Sequence, residues 1–239
     1  MPKLSHEKDN GRIVITSLHK KYDGKGVVND LSLTIYQNEI LVLLGHNGAG
    51  KTTTLNMLTG LVKATSGSAI AHNISAALPE IDLFKDYQNI ADFIGLCPQI
   101  DVLFEKMTVR ENLIFYCKLK NVENMDRVID ENLEKFNLTA KQTAFAGEIS
   151  GGQKRKLQLA IALLGNSKIV LLDEPTSGMD PTARRETWEI IKQAKEDKII
   201  ILTTHYMDEA EFLADRVAVV SRGVLKICGT TSFLKRAYG

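Results

Sequence analysis

The sequence predicts an α/β protein with a mostly parallel sheet. Three observations predict it. EILVLLG (39–45), KIVLLDE (168–174), DKIIILTTH (197–205) and DRVAVVS (215–221) are short, continuous apolar runs. Runs without alternation suit strands covered on both faces. Helical patterns separate several of them, the order expected of α/β proteins. Finally, a Lys/Glu/Asn-rich stretch from about 80 to 165 carries helical periodicity and no long apolar β-type run.

In chain order, residues 1–11 are polar and expected to form a flexible tail, without the apolar core of a signal peptide. IVITSL (13–18) and the alternating DLSLTI (30–35) are expected strands. TTTLNMLTGL should be a helix after the run ending at Gly45. VRENLIFYCKL and RVIDENLEKFNL should be helices of an inserted lobe. After Ser150, a good N-cap, Leu157, Ala160, Ile161 and Leu164 recur at helical spacing and predict a helix with one buried face.

The 239 residues are 44% hydrophobic and 25% charged, with a formal net charge of +1. This is a globular composition without the overall basic footprint of nucleic-acid binders, so no nucleic-acid partner is expected. No apolar run reaches membrane-spanning length, so the chain itself is expected to be soluble. Cys97, Cys117 and Cys228 lack metal or redox spacing and are expected to be reduced thiols, mostly buried.

Gly45-His46-Asn47-Gly48-Ala49-Gly50-Lys51-Thr52 matches G-x-x-x-x-G-K-[ST] between an apolar run and a helical pattern. Glycines let backbone N–H groups converge on phosphate oxygens, and a helix start adds positive potential. Lys51 would face the β- and γ-phosphates, and the Thr52 hydroxyl would ligate Mg²⁺. IVLLDE ends in two carboxylates where open α/β sheets bind ligands. Asp173 suits the Mg²⁺ site and Glu174 the base that activates water. His205 either caps the next helix or contacts the γ-phosphate. Gln99 would touch metal or water, or is a plain loop glutamine.

Ser150, Gly151, Gly152 and Gln153 open a second helix start with anion-binding character. Lys154, Arg155 and Lys156 put positive charge in a first turn, where the helix dipole favours acids. A nearby anion would relieve this. One nucleotide has one terminal phosphate, so the second site most simply serves a nucleotide held by a second copy of the domain.

ISGGQ resembles the signature LSGGQ of the ATP-binding cassette (ABC) family, with Ile149 in place of leucine. The other family motifs are matched in order by GHNGAGKT, Gln99, IVLLDE, SGMD (177–180) and His205, over roughly residues 12–235. The resemblance implies a P-loop NTPase (RecA-like) core with a mostly parallel sheet, an antiparallel β subdomain and an inserted α-helical subdomain. The core would be about 12–85 and 166–239 of a nucleotide-binding domain spanning 12–239, and the helical subdomain about 86–165. It implies ATP and Mg²⁺ as cofactors. Tyr22 would stack on adenine, and Gly45, Asn47, Gly48, Gly50, Lys51, Thr52 and Thr53 would hold phosphate. Thr52, Gln99 and Asp173 would hold the metal. Ser150, Gly151, Gly152, Gln153 and Asp180 would act across a head-to-tail dimer of cassettes, with Glu174, His205, Lys51 and Gln99 serving catalysis.

CPQIDVLFEKMTVREN, SKIVLLDEPTSGMDPTARRETW and CGTTSFLKRAYG resemble the eukaryotic A-subfamily, many of whose members move lipids. That implies a piece of a multi-pass transporter, at the cytosolic face of a membrane, partnered by transmembrane domains. The alternatives are the ATPase of a multidrug-type exporter and a soluble ABC ATPase acting on DNA or ribosomes. The absence of heptads, the single cassette and a net charge near zero speak against the soluble class. A degenerate, non-hydrolysing cassette is disfavoured because both Glu174 and His205 are present.

Overall fold

The structure is a computed structural model that describes residues 11–75 and 78–238. The rest of the expected N-terminal tail, 1–10, lies outside the described residues. Gly11 itself is tied down, its N–H donating to Gln37 Oε1 at 3.0 Å and its carbonyl accepting from Gln37 N at 2.7 Å. Cα packing divides the chain into two units, Met1–Ala91 with Lys195–Gly239, and Asp92–Ala194.

The first unit holds an antiparallel sheet in the order β2-β1-β4-β5, formed by β1 (Arg12–Tyr22), β2 (Lys25–Tyr36), β4 (Ser66–Ser75) and β5 (Leu78–Asp82). Its strands alternate as half-covered strands should. Ile13 and Ile15 of β1 and Leu31, Leu33 and Ile35 of β2 are buried, while their neighbours face outward or lie at intermediate depth. The same unit holds β3 (Glu39–Leu44), with β8 (Ile199–Thr204) and β9 (Arg216–Ser221) parallel to it on either side. Strand β10 (Val224–Thr230) runs antiparallel to β9. All six residues of β8 are buried, which is why its sequence shows no alternation. Helices α1 (Lys51–Leu58), α2 (Tyr87–Ile90), α7 (Met207–Leu213) and α8 (Thr231–Tyr238) complete this unit.

In the second unit, β6 (Ile94–Cys97) pairs in parallel with β7 (Ile169–Asp173). Helices α3 (Val109–Leu119), α4 (Met125–Lys135), α5 (Gly151–Ala162) and α6 (Pro181–Gln193) accompany them. Thr108 starts α3 with a capping box, its hydroxyl accepting from Glu111 N while Glu111 returns to Thr108 N. Helix α5 lies against β6 so closely that a Cβ at Gly95 would stand 1.9 Å from the Ala162 carbonyl oxygen.

Two differences from expectation have plain causes. The stretch expected to be helical contains β6, after the end of β5 and the short α2, and the four residues of β6 are too few to show a strand pattern. Helix α5 does not bury one face; every residue from Arg155 to Ala162 is buried. A helix enclosed on all sides shows no stripe. The three cysteines are free thiols, with Cys97 and Cys117 buried and Cys228 half-buried. Burial pushes the Cys97 thiol up to about 11. No helix of the described residues is long and apolar enough to cross a membrane.

Candidate functional site

In the first unit, the chain leaves β3 at Leu44 and turns through the glycine-rich loop into α1. Asn47 and Gly48 stand exposed at the tip, while Thr52 and Thr53 lie at intermediate depth in the first turn. Gly50 is the N-cap, at φ 99°, with no side-chain cap and no acidic residue in the first turn. A side chain there would be strained twice, by that φ and by a Cβ placed 2.6 Å from the Val27 carbonyl oxygen. The Lys51 side chain is buried and curls back over the loop. Its Nζ donates to the carbonyls of Gly45 at 2.7 Å and His46 at 3.2 Å. The loop thus holds a buried ammonium beside a helix start with no side-chain cap. That pairing suits a polyanionic phosphate chain.

Tyr22 ends β1 and is 45% exposed. Lys20 Nζ lies 4.6 Å from its ring centroid and donates to the Lys63 carbonyl at 2.8 Å, so one face of the ring carries a cation. His205 follows β8, exposed, with its ring 4.0 Å from that of Tyr206. The N-cap of the following helix α7 is Tyr206, which makes no side-chain cap bond.

In the second unit, Asp173 is the last residue of β7 and is buried. Glu174 follows, also buried, in the left-handed region at φ 47°. Such a conformation is uncommon for a residue with a Cβ and marks a locally constrained turn. Ser177 N donates to the Glu174 carbonyl at 3.1 Å and closes that turn. Gln99 is exposed, two residues beyond β6.

Ser150 caps α5, with its hydroxyl accepting from Gln153 N at 3.3 Å and Gln153 Oε1 accepting from Ser150 N at 3.0 Å. Gly151 and Gly152 are the first two helical residues. A Cβ at Gly151 would meet nothing within 4 Å, and one at Gly152 only Met179 Cγ at 4.0 Å. Asp180 is the N-cap of α6, accepting from Thr182 N and Ala183 N at 3.0 Å each. The Ala183 bond, the larger cause, and the Thr182 bond hold its carboxyl below the usual range.

The basic residues at the start of α5 need correcting. No external anion is required to relieve them. Lys156 Nζ pairs with Glu186 at 2.9 Å, and Lys154 lies 3.8 Å from Glu105. Arg155 is buried and donates to backbone carbonyls on two other segments. Sequence reasoning missed Arg155 and Gln158 as structural centres of the site. The available signal was Gln158, a lone amide inside the apolar LQLAIAL.

A family model described as "ABC transporter" matches residues 28–177. The chain is 45% identical over 231 residues to human "ATP-binding cassette sub-family A member 2", covering 95% of this chain and 9% of the relative. It is 46% identical over 214 residues to "Phospholipid-transporting ATPase ABCA3" of Rattus norvegicus, covering 89% of this chain and 12% of the relative. The chain thus spans about a tenth of the length of these curated relatives. A solved structure described as the ATP-binding subunit of an ABC transporter superposes with a TM-score of 0.83 at 26% identity, covering 95% of this chain and 93% of that one. The fold is that of the P-loop NTPases, mixed α/β with mostly parallel strands and a helical part. By the family match over most of its length, and by the motifs that carry it, this chain belongs to the ABC transporter family.

Proposed function

We propose that this chain is the ATP-binding and ATP-hydrolysing domain of an A-subfamily transporter that moves lipid across a membrane. The observation that carries the reading is the loop from Gly45 to Thr52, with its buried ammonium beside a helix start that has no side-chain cap. The lipid substrate rests on the similarity to a phospholipid-transporting ATPase. Residues 12–85 and 166–239 form the catalytic core in this reading, and 86–165 the helical subdomain. The transporter's transmembrane domains place the cassette at the cytosolic face.

Tyr22 stacks on adenine, and Gly45, Asn47, Gly48, Gly50, Lys51, Thr52 and Thr53 hold the phosphates. Thr52, Asp173 and Gln99 fit Mg²⁺, a hard cation that takes oxygen ligands and keeps several waters. Among the described residues no cluster of three His, Cys, Asp or Glu side chains forms a self-sufficient metal site. Mg²⁺ in phosphate-transferring sites is held jointly with substrate phosphates, where it would supply neutralising charge. Glu174 accepts the proton of the attacking water, while His205 and Asp180 link the γ-phosphate to a second cassette. From that cassette, Ser150, Gly151, Gly152 and Gln153 complete the site head to tail. Loss of the γ-phosphate removes the shared charge, and the pair opens.

The test is the solution mass of Glu174→Gln by light scattering, with and without ATP. An ATP-dependent doubling is expected. A persistent monomer with ATP bound, at high protein concentration, overturns pairing of identical cassettes through Ser150–Gly152.

A further inference from the structure

Arg155 is the fifth residue of α5, at the start of its second turn, with its guanidinium buried. A guanidinium has five N–H donors in a rigid planar fork. All five are used. Nε donates to the Pro175 carbonyl at 3.1 Å. One terminal nitrogen donates to the Pro98 carbonyl and to Gln158 Oε1, the latter at 3.0 Å. The other donates to the carbonyls of Asp173 and Glu174, the latter at 2.9 Å. Gln158, one turn further along α5 and also buried, donates from Nε2 to the Ile100 carbonyl at 3.0 Å.

Two segments converge on this pair. One is Pro98–Ile100, which brackets Gln99. The other is Asp173–Pro175, three successive carbonyls that bracket the left-handed Glu174. Backbone held at an unfavourable φ persists only when its surroundings over-determine it. Three donors converging on three consecutive carbonyls supply that determination.

We propose that Arg155 is a positioning residue that, with Gln158, locks the Glu174 turn and the Gln99 segment into one fixed geometry. Its five donors all go to protein groups, so it acts through the backbone and sets where the Glu174 and Gln99 side chains emanate from. A displacement of the Gln99 segment is then felt at the Glu174 turn, because both are bonded to one rigid group. The functional half of this inference rests on the roles proposed above for Glu174 and Gln99. The structural half does not.

Hydrogen exchange on the ligand-free chain tests the structural half. Arg155→Lys keeps the charge but has three donors in place of five. It should raise exchange of the Ser177 and Met179 amides, and of those between Gln99 and Phe104, by about tenfold or more, as expected for locally opened segments. Gln158→Leu directly releases only the Ile100 carbonyl and one Arg155 bond. It should still raise exchange at Ser177 by about threefold, a local effect short of global unfolding. Faster exchange between Gln99 and Phe104 with Ser177 unchanged would mean the segments are held independently, and the lock is wrong. If Arg155→Lys does not fold, Gln158→Leu decides alone.

Turnover tests the functional half. Arg155→Lys should lower kcat about 100-fold, the scale of a small misplacement of reacting groups, with ATP Kd within about twofold. Equal losses in kcat and ATP binding would mark a merely structural residue and overturn the positioning role. An unaltered chain that hydrolyses no ATP would remove the proposed function instead, and the exchange experiment would still decide the lock.

Discussion

The starts of α1 and α5 share a glycine-rich approach, but they are built in opposite ways. At α1 the N-cap is a glycine with no side-chain cap, and the nearby lysine folds onto its own loop carbonyls. At α5 a serine and a glutamine cap each other, and the basic residues that follow are engaged by protein groups. A side chain at Gly50 would be crowded and strained, whereas one at Gly151 or Gly152 would meet open space. In the proposed reading, the α1 loop is organised around a ligand that brings its own negative charge. The α5 start is finished without one and presents a bare backbone that a second surface can approach closely. Two glycine-rich helix starts can thus have different jobs, separated by what satisfies their neighbours.

Five variants test this comparison. The largest effect belongs to chemistry that neither helix start performs. Glu174→Gln should lower phosphate release by about 10²–10⁴-fold, the range of a general base, while calorimetry finds ATP affinity retained. Near-normal turnover would leave binding as the only established role of the site. Next, Lys51→Ala should weaken ATP binding by about 10- to 100-fold, the scale of a charged hydrogen bond. Ser150→Ala should leave the monomer's affinity within about twofold, since α5 serves another copy's nucleotide in this reading. Equal weakening by both would erase the distinction between the two starts.

Smaller effects sharpen the contrast in stability. Gly50→Ala should destabilise the chain by more than about 1 kcal/mol in denaturant melts, because a Cβ is incompatible with its φ and its neighbour. Gly151→Ala should do the reverse. Its backbone is not among those at positive φ and space is open, so about 0.5 kcal/mol of stabilisation is expected. The same variant should lose ATP-driven doubling in the Glu174→Gln background, because the added methyl fills the approach to the partner's nucleotide. Retained doubling would place the contact elsewhere.

Much of the fold was legible because it is locally encoded. The unbroken apolar runs became β3, β7, β8 and β9. VRENLIFYCKL became α3, residue for residue, between its capping box and the turn at Lys120. Ser150 became the cap of α5 as its chemistry suggested. What escaped had weak local signals. β10 is half-exposed along its length and reads as neither apolar run nor clean alternation, and β6 is four residues long. The buried circumference of α5 was hidden because Arg155, Lys156 and Gln158 look like a solvated face until their partners are known.

The sequence alone determined the phosphate-type loop, the acidic end of β7, the capped start of α5 and the family. Each depends on residues adjacent in the chain, whose backbone chemistry follows from their order. Tertiary structure decided what the charges do. Arg155 meets carbonyls 18 to 57 residues away, so its role as an internal strut could not be inferred from its position near a helix start. Tertiary packing also decided that Glu174 would sit in a left-handed turn, and those distant hydrogen bonds hold it there. Local spacing specifies which groups are present; long-range satisfaction of buried donors specifies where they point.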